Sequence, residues 1–214
     1  MKLVLASNNA KKLAELQALF DGLGVALVRQ GELGVSEAEE PHVTFIENAL
    51  AKARHASAAT GLPAIADDSG LCVDALGGAP GVVSANYAVV AASAGRALPR
   101  EVVRETQDAA NNALLLERMA AAEHRHAAFV CTLVAIRAAD DPQPLVAVGR
   151  WEGEILSALE GQGGFGYDPL MYIPALGATV AQLAPEVKNA HSHRALAAAR
   201  MRELMRAAWR LQGR

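Results

Sequence analysis

The sequence has few aromatic residues, only two cysteines and no excess of charge of either sign. Aromatic residues make up 4% of the 214 residues, so we expect a core built from Val, Leu and Ala. The 20 Lys and Arg residues against 23 Asp and Glu residues give a formal net charge of −3, which argues against a general nucleic-acid-binding surface. Because 52% of the residues are hydrophobic, the chain can bury a sizeable core, which argues against a disordered protein.

Long apolar runs and cysteine motifs are also missing. Cys72 and Cys131 lie far apart in apolar, strand-like runs without metal-ligand spacing, so we expect reduced, buried and inert thiols. The apolar run at residues 3–6 is too short for a signal peptide, and no apolar stretch reaches the roughly 18 residues that span a bilayer. We therefore expect a soluble, cytoplasmic protein that binds neither membrane nor nucleic acid.

The hydrophobic pattern alternates between strands and helices. Apolar runs predict strands at residues 3–6, 25–28, 64–66, 71–73, 127–137 and 145–151. Helical periodicity predicts helices at residues 10–20, 44–59, 101–122 and 192–211. Thr44 with Glu47 three residues later has the pattern of a capping box at a helix start. Without a repeat or a linker, the chain is predicted to form one α/β domain over residues 1–214 with a mixed sheet.

The first polar cluster, Ser7 to Lys12, joins the first strand to the first helix. Helix N-termini attract phosphate through unpaired N–H groups and a partial positive charge, and Ser7, Asn9 and the lysines add donors. The spacing is not that of a Walker loop. The alternative interpretation is an ordinary Ser/Asn helix cap followed by a solvated lysine pair.

The second cluster is the run Asp67–Gly70, which its apolar flanks place at a strand end or in a tight turn. Adjacent carboxylates beside an apolar strand are costly unless a cation or water compensates their charge. Mg²⁺ prefers oxygen ligands, so we expect a magnesium site here, with Glu39 or Glu40 as a further ligand. Without metal, the two aspartates should titrate as a coupled pair. A plain turn of the same sequence is the alternative.

Two further clusters lie towards the C-terminus. In the run Gly163–Pro169, glycines allow close backbone approach and Phe165 offers a flat face for a base, although a structural turn would use the same residues. Lys188 and the run His191–Arg194 supply donors that could hold phosphate or read a keto oxygen on a base edge. Most other basic residues beyond Lys188 fit a solvated helix face.

Six motifs, which include these clusters, resemble the inosine triphosphate pyrophosphatase family, and within it the bacterial enzymes that act on dITP and XTP. In chain order they are Ser7-x-Asn9-x-x-Lys12, Thr44-Phe45-Ile46-Glu47-Asn48-Ala49, Ala66-Asp67-Asp68-Ser69-Gly70-Leu71, Gly78-Ala79-Pro80-Gly81, Gly164-Phe165-Gly166-Tyr167-Asp168-Pro169 and Ser192-His193-Arg194. Each motif alone is weak, whereas six in order are specific. The resemblance implies an α/β fold with a long, bent mixed β-sheet flanked by helices, and two lobes with a central cleft.

The resemblance also implies an activity. A homodimer would hydrolyse non-standard purine nucleoside triphosphates (dITP/ITP, XTP/dXTP) with Mg²⁺ to the nucleoside monophosphate and pyrophosphate, cleansing the nucleotide pool. By position in the motifs, Asp68 is the catalytic base and a metal ligand, and Glu39 or Glu40 is a second ligand. The implied substrate contacts are Ser7, Asn8, Asn9, Ala10, Lys11, Lys12, Ser69, Phe165, Gly166, Tyr167, Asp168, Lys188, His193 and Arg194.

Within that set the roles differ by cluster. Residues 7–12 would hold the triphosphate, and residues 165–168 would line the base and sugar pocket. Donors such as His193 or Arg194, aimed at a 6-keto oxygen, would leave the amino group of adenine facing another donor.

One stretch departs from the family pattern. After the Pro-Gly loop the family has Ser-Ala-Arg-Tyr, whereas this chain has Asn86 in place of the arginine, followed by an alanine-rich stretch at residues 90–99. Arg96 or Arg100 are the candidates to replace that arginine. Two alternatives stay open. A related pyrophosphatase for modified pyrimidine nucleotides would share the fold and metal chemistry, and Asn86 keeps open a nucleotide-binding regulator without turnover.

Overall fold

The structure is a computed structural model that describes residues 1–89 and 100–211, without the side chains at positions 10, 11, 100 and 101. Residues 90–99, which include Arg96, and the side chain of Arg100 therefore lie outside the description. Within the described ranges, seven strands form one sheet in the order β2-β1-β3-β4-β5-β6-β7. Their bounds are β1 Lys2–Leu5, β2 Ala26–Arg29, β3 Ala64–Val73, β4 His126–Ile136, β5 Leu145–Ile155, β6 Met171–Ile173 and β7 Ala178–Thr179.

Strand directions make this a mixed sheet. β1 pairs in parallel with both β2 and β3, with Leu5 opposite Arg29 and Ile65. β6 pairs antiparallel with β5 and with β7. The predicted α/β class with a mixed sheet is confirmed.

Four of the α-helices in the described ranges begin close to where the sequence predicts them, and the short helix α4 was not predicted. The helices are α1 Ala10–Leu19, α2 Phe45–Thr60, α3 Arg100–Arg118, α4 Pro185–His191 and α5 His193–Trp209. The Thr44 hydroxyl accepts from the Glu47 backbone N–H at 3.3 Å, and the Ser192 hydroxyl accepts from the Ala195 N–H at 3.2 Å. Both caps fix the first turn of their helix. No helix in the described ranges is long and apolar enough to span a bilayer.

The chain divides into two compact units, each made of separate segments of sequence. The first unit contains Met1–Ser69, Val130–Arg150 and His191–Arg214, and the second contains Gly70–Phe129 and Trp151–Ala190. In the first, Leu3, Phe20 and Met201 belong to one apolar core. In the second, a separate apolar core includes Leu115 and Trp151.

β3 carries the two neighbouring aspartates in its middle. It runs without a break from Ala64 to Val73, so the expectation of a strand end or tight turn at Asp67–Gly70 is wrong. Successive side chains of a strand point to opposite sides, so Asp67 and Asp68 face different surroundings. The strand tolerates two buried carboxylates because cations from other elements compensate them, as described next.

Candidate functional site

The turn between β1 and α1 is organised by its own polar side chains. The Ser7 hydroxyl accepts from the Asn9 backbone N–H at 3.2 Å, and Asn9 Oδ1 accepts from the Lys12 N–H at 3.2 Å. Asn8 Nδ2 donates to Glu37 Oε1 at 3.1 Å. The capping function is therefore present, and it leaves the ammonium group of Lys12 directed away from the helix backbone towards an acidic partner. Ala10 and Lys11 open α1, but their side chains are outside the described part.

That partner is Asp67, whose side chain is fully buried. Lys12 Nζ donates to Asp67 Oδ1 at 2.6 Å, and Arg194 and Ser69 donate to Oδ2 at 3.3 and 2.7 Å. Burial alone would raise the pKa of Asp67, but the charges of Lys12 and Arg194 hold that pKa well below its usual range. Asp67 is thus an ionised carboxylate whose charge is more than matched by its neighbours.

Arg194 links this carboxylate to α1. Its guanidinium is buried, donates to Glu15 Oε2 at 2.6 Å as well as to Asp67, and has a raised pKa because these acids outweigh the effect of burial. His193, the preceding residue, is 9% exposed. Burial raises the pKa of Cys131, which lies 4.0 Å from Asp67 Oδ2, to about 12, in keeping with the inert thiol expected there. Cys72 is only partly buried.

Asp68 has different surroundings. Lys52 Nζ bridges it to Glu40, donating to Asp68 Oδ1 at 3.0 Å and to Glu40 Oε2 at 2.8 Å. The other carboxylate oxygen of Asp68 is buried and has no hydrogen-bond partner among the described residues. Burial, together with the nearby Glu40, raises the pKa of Asp68 to about 6 despite the opposing charge of Lys52. The pKa values of the two aspartates thus shift in opposite directions, since each responds to its own neighbours.

Lys52 is held in its charged form by these carboxylates. Burial lowers the pKa of Lys52, but the charges of Asp68 and Glu40 raise it by more, so that the net pKa lies above the usual value. Lys52 is a site residue that none of the sequence motifs indicates. A signal existed, because Lys52 shares a helix face with the buried residues Ala49, Ala53 and Ala56, where a charged side chain needs a partner.

The turn between β1 and α1, Lys52 and Asp67 line one cavity in the first unit. Asp68 contacts that lining through the ammonium group of Lys52. The cavity has a volume of about 130 Å³, and it is lined by Ala6, Ser7, Lys12, Gln30, Glu37, Ala38, Glu40, Lys52 and Asp67. Two ammonium groups and a hydroxyl thus face the same space as three carboxylates. Such a cavity suits an anionic ligand that brings its own cation.

The side chains at this cavity can be compared with the ligands that a divalent cation requires. In the chain outside residues 90–99 and 212–214, no group of three or more His, Cys, Asp or Glu side chains is arranged to hold a metal. Mg²⁺ does not require one, because it is commonly bound by one or two carboxylates together with water and substrate phosphates. Asp68 with its unpartnered oxygen and Glu40 fit that requirement. Glu39 and Glu40 are both exposed, but Glu40 shares the ammonium group of Lys52 with Asp68.

The glycine-rich loop lies in the second unit. Phe165 is half-buried, with Lys188 Nζ 4.6 Å and the Arg104 guanidinium 4.9 Å from its ring centroid. Asp168 Oδ2 accepts from the Phe165 backbone N–H at 2.9 Å and from Lys188 Nζ at 2.5 Å. Gly164 has φ +77°, and a Cβ there would overlap with the carboxylate of Asp168. The carboxylate of Asp168 therefore fixes the backbone of the loop at Phe165, and the loop presents the Phe165 ring.

Two further predicted positions fall in the same unit. The Tyr167 hydroxyl donates to the carbonyl of Ser84 at 2.9 Å, and burial raises the pKa of this phenol above its usual value. Asn86 is exposed at the end of the short 3-10 helix Gly81–Asn86. Tyr167 is thus bound to the segment in which this chain departs from the family pattern.

Comparisons with known proteins agree with the motif resemblance. The chain is 69% identical over 211 residues to a dITP/XTP pyrophosphatase of Leptothrix cholodnii, covering 99% of this chain and 100% of that protein. A second dITP/XTP pyrophosphatase, from Methylibium petroleiphilum, is 67% identical over 209 residues, with 98% and 99% covered. Among solved structures, a HAM1 protein from Coxiella burnetii superposes with a TM-score of 0.86 at 42% identity, covering 97% and 100% of the two chains. The Ham1 family model matches residues 3–204, so this chain belongs to the Ham1 family.

Proposed function

We propose that this protein hydrolyses non-standard purine nucleoside triphosphates, namely dITP/ITP and XTP/dXTP, to the nucleoside monophosphate and pyrophosphate. The names of its relatives support this activity, since those at 67–69% identity are dITP/XTP pyrophosphatases. The observation that carries the proposal is the environment of Asp68. Its unpartnered, buried oxygen lies beside a lysine that lines a cavity shared with Ser7 and Lys12.

Asp68 is the proposed general base. A base works best when its pKa lies near the working pH, and burial has raised the pKa of Asp68 to about 6. Its carboxylate takes the proton of a water that attacks the α-phosphorus. The bond between that phosphorus and the bridging oxygen to the β-phosphorus breaks, and pyrophosphate leaves with the electron pair. A positioned base of this kind contributes about 10²–10⁴-fold in rate.

Lysines of the first unit bind the polyphosphate. Lys12 and Lys52 line the cavity with charged ammonium groups, and Ser7 adds a hydroxyl. The resemblance adds Asn8, Asn9, Ala10 and Lys11 as contacts, through the N-terminus of α1. Asp67 is proposed to hold Lys12 and Arg194 in place rather than to react, because its charge is already compensated.

Asp68 and Glu40 are the proposed ligands of Mg²⁺. The unpartnered oxygen of Asp68 and the position of Glu40 on the same lysine support this pair over one that includes Glu39. When bound, Mg²⁺ supplies positive charge that neutralises phosphate oxygens and stabilises the leaving group.

The base is proposed to bind the loop of the second unit, with Phe165 as its stacking surface and Gly166, Tyr167, Asp168 and Lys188 around it. Discrimination against adenine is assigned to His193 and Arg194, with Ser69 as a further substrate contact. Arg194 Nε is buried and has no acceptor within the described residues, which supports a donor role towards a 6-keto oxygen. Adenine would present its amino donor instead and leave that group unsatisfied.

A nucleotide panel tests this function. Pyrophosphate and phosphate release are measured for ITP, dITP, XTP, dGTP, dATP and a modified pyrimidine triphosphate, each with Mg²⁺ and with EDTA. We expect pyrophosphate from the inosine and xanthosine nucleotides only, and no turnover in EDTA. Equal rates for dITP and dATP would overturn the purine assignment, preference for the pyrimidine would favour the related activity, and binding without turnover would indicate a regulator.

We also propose a homodimer acting in the cytoplasm, as the resemblance implies. Exposed valines at the end of the first described range and at the start of α3, namely Val83, Val89, Val102 and Val103, provide apolar surface in the second unit. Light scattering coupled to gel filtration distinguishes a dimer from a monomer of 22.4 kDa.

A further inference from the structure

One face of α3 contacts the loop that carries Phe165. Arg104, Asp108 and Asn112 follow each other at intervals of four residues, so they lie along one side of the helix. None of them belongs to the family motifs described above. Each makes a contact to Phe165 or Gly166, and all of these residues belong to the second unit.

The contacts hold both backbone groups of a single residue. Asp108 Oδ2 accepts from the Gly166 N–H at 2.8 Å, and Asn112 Nδ2 donates to the Gly166 carbonyl at 2.9 Å. Gly166 has φ +62°, a left-handed conformation that glycine adopts without steric cost but does not hold uniquely by itself. Two side chains of one helix therefore fix the peptide groups on both sides of this residue.

The third contact acts on the ring itself. The Arg104 guanidinium lies 4.9 Å from the centroid of the Phe165 ring, close enough for a cation–π interaction. Phe165 is only half-buried, and its backbone N–H is taken by Asp168. The orientation of the ring therefore depends on its immediate contacts and on the backbone of Gly166 more than on a packed core.

We propose that Arg104, Asp108 and Asn112, which we call the α3 clamp, position Phe165 for stacking on the purine ring of the substrate. The proposal rests on the proposed function, because it assumes that the loop binds the base. The three are positioning residues, since they act through Phe165 and Gly166. Their loss should weaken binding of the nucleoside part and leave the chemical step at Asp68 largely unchanged.

Asp108 gives the sharpest test. Asp108→Ala removes the acceptor of the part-buried Gly166 N–H and should raise KM for dITP by about 10-fold, with kcat changed less than about 3-fold. Asp108→Ala is compared with Asp108→Asn, whose side-chain oxygen can still accept from Gly166 and should restore KM. Glu105→Ala, at an exposed position of the same helix, is the matched control and should keep the wild-type KM.

A base-free probe separates positioning from general damage. Inorganic tripolyphosphate should compete with substrate at the cavity of Ser7 and Lys12 without using the loop. Its inhibition constant should be the same for wild type and Asp108→Ala. An inhibition constant that rises with KM, or an unchanged KM in Asp108→Ala, would overturn the proposal.

Three further variants keep the test decisive. If Asp108→Ala does not fold, Arg104→Gln at an exposed position takes its place, with an expected 2- to 5-fold rise in KM, and Arg104→Lys restores it. Because Asp108 and Asn112 act on one residue, the double alanine variant should cost less than the product of the single effects. Full multiplicativity would contradict a shared action on Gly166.

Hydrogen exchange distinguishes failure of this proposal from failure of the proposed function. The Gly166 amide should exchange faster in Asp108→Ala than in wild type, whatever the substrate. A wild-type protein without dITP turnover would overturn the function, while normal turnover with an unaffected Asp108→Ala variant would overturn the clamp alone.

Discussion

The two sides of β3 give adjacent, chemically identical residues different properties. Asp67 meets two cations and a hydroxyl, and its pKa falls well below the usual range. Asp68 shares its one cation with Glu40, keeps an oxygen without a described partner, and has its pKa raised to about 6. Burial disfavours the charge of both residues, so the difference comes from the number of cations that each faces.

This difference shows how one strand can separate structural from chemical roles. A carboxylate with surplus positive charge around it is a poor base, since it gives up its proton under almost all conditions. A carboxylate with too little compensation can accept a proton or a metal ion. The predictions that follow address this contrast, beginning with the largest effect.

Asp67→Asn should destabilise the fold by about 3–5 kcal/mol, because it leaves the buried Arg194 and the Lys12 ammonium without their shared partner. Urea unfolding followed by tryptophan fluorescence measures the loss. Asp140→Asn, at an exposed turn position, is the control and should change stability by less than about 0.5 kcal/mol. Equal, small effects in both variants would show that the ion pairs of Asp67 contribute little.

Asp68→Asn should increase the stability of the fold in the absence of divalent metal. An acid whose folded pKa is about 6, above its unfolded value near 4, loses stability as the pH rises through this window. The neutral amide avoids that loss, so the variant should be more stable than wild type by about 1–3 kcal/mol at pH 8, and the gain should vanish below pH 4. Unfolding in EDTA across this range measures it, and a net loss of stability at pH 8 would refute the uncompensated charge.

The smallest expected effect is on the rate at which the two cysteines are labelled. Cys131 is buried beside Asp67 and its pKa is raised to about 12, whereas Cys72 is partly buried. A disulfide reagent at pH 8 should modify Cys72 in the folded protein and reach Cys131 only when the fold opens. Asp67→Asn should accelerate the slow phase, and Asp68→Asn in EDTA should not. Rapid modification of Cys131 in the wild type would contradict the closed environment on this side.

Much of the fold could be predicted from the sequence because its periodic signals are local. The hydroxyl of Thr44 caps α2 and so marks its start in the sequence. The apolar runs in β4 and β5 are longer than those expected in a loop. β6 and β7 have three and two residues, too few for a pattern. The prediction of a strand end or turn within β3 is wrong because the hydrogen-bond partners of Asp67 and Asp68 lie far away in sequence, on α1, α2 and α5.

The same reason limits prediction of the site. The family resemblance, which is confirmed, depends on the order of the motifs. It identifies candidate site residues but not the side chains with which they form hydrogen bonds and ion pairs. That Lys12 and Asp67 meet follows from the way α1 packs, which no spacing reveals. Lys52 and the α3 clamp lie outside the motifs, and their roles depend on which helix face contacts β3 or the loop. Of these residues, only Lys52 could have been suspected from the sequence, because it lies on the alanine-rich face of α2.

The relative activity of the two aspartate variants decides whether their roles are separate. Pyrophosphate release from dITP with saturating Mg²⁺ is measured for wild type, Asp67→Asn and Asp68→Asn, with each rate expressed per folded molecule. We predict that Asp68→Asn lowers kcat by about 10²–10⁴-fold, whereas Asp67→Asn keeps kcat within about 10-fold of wild type. Equal losses in the two variants, or near-normal turnover by Asp68→Asn, would contradict the assignment of catalysis to Asp68 and of support to Asp67.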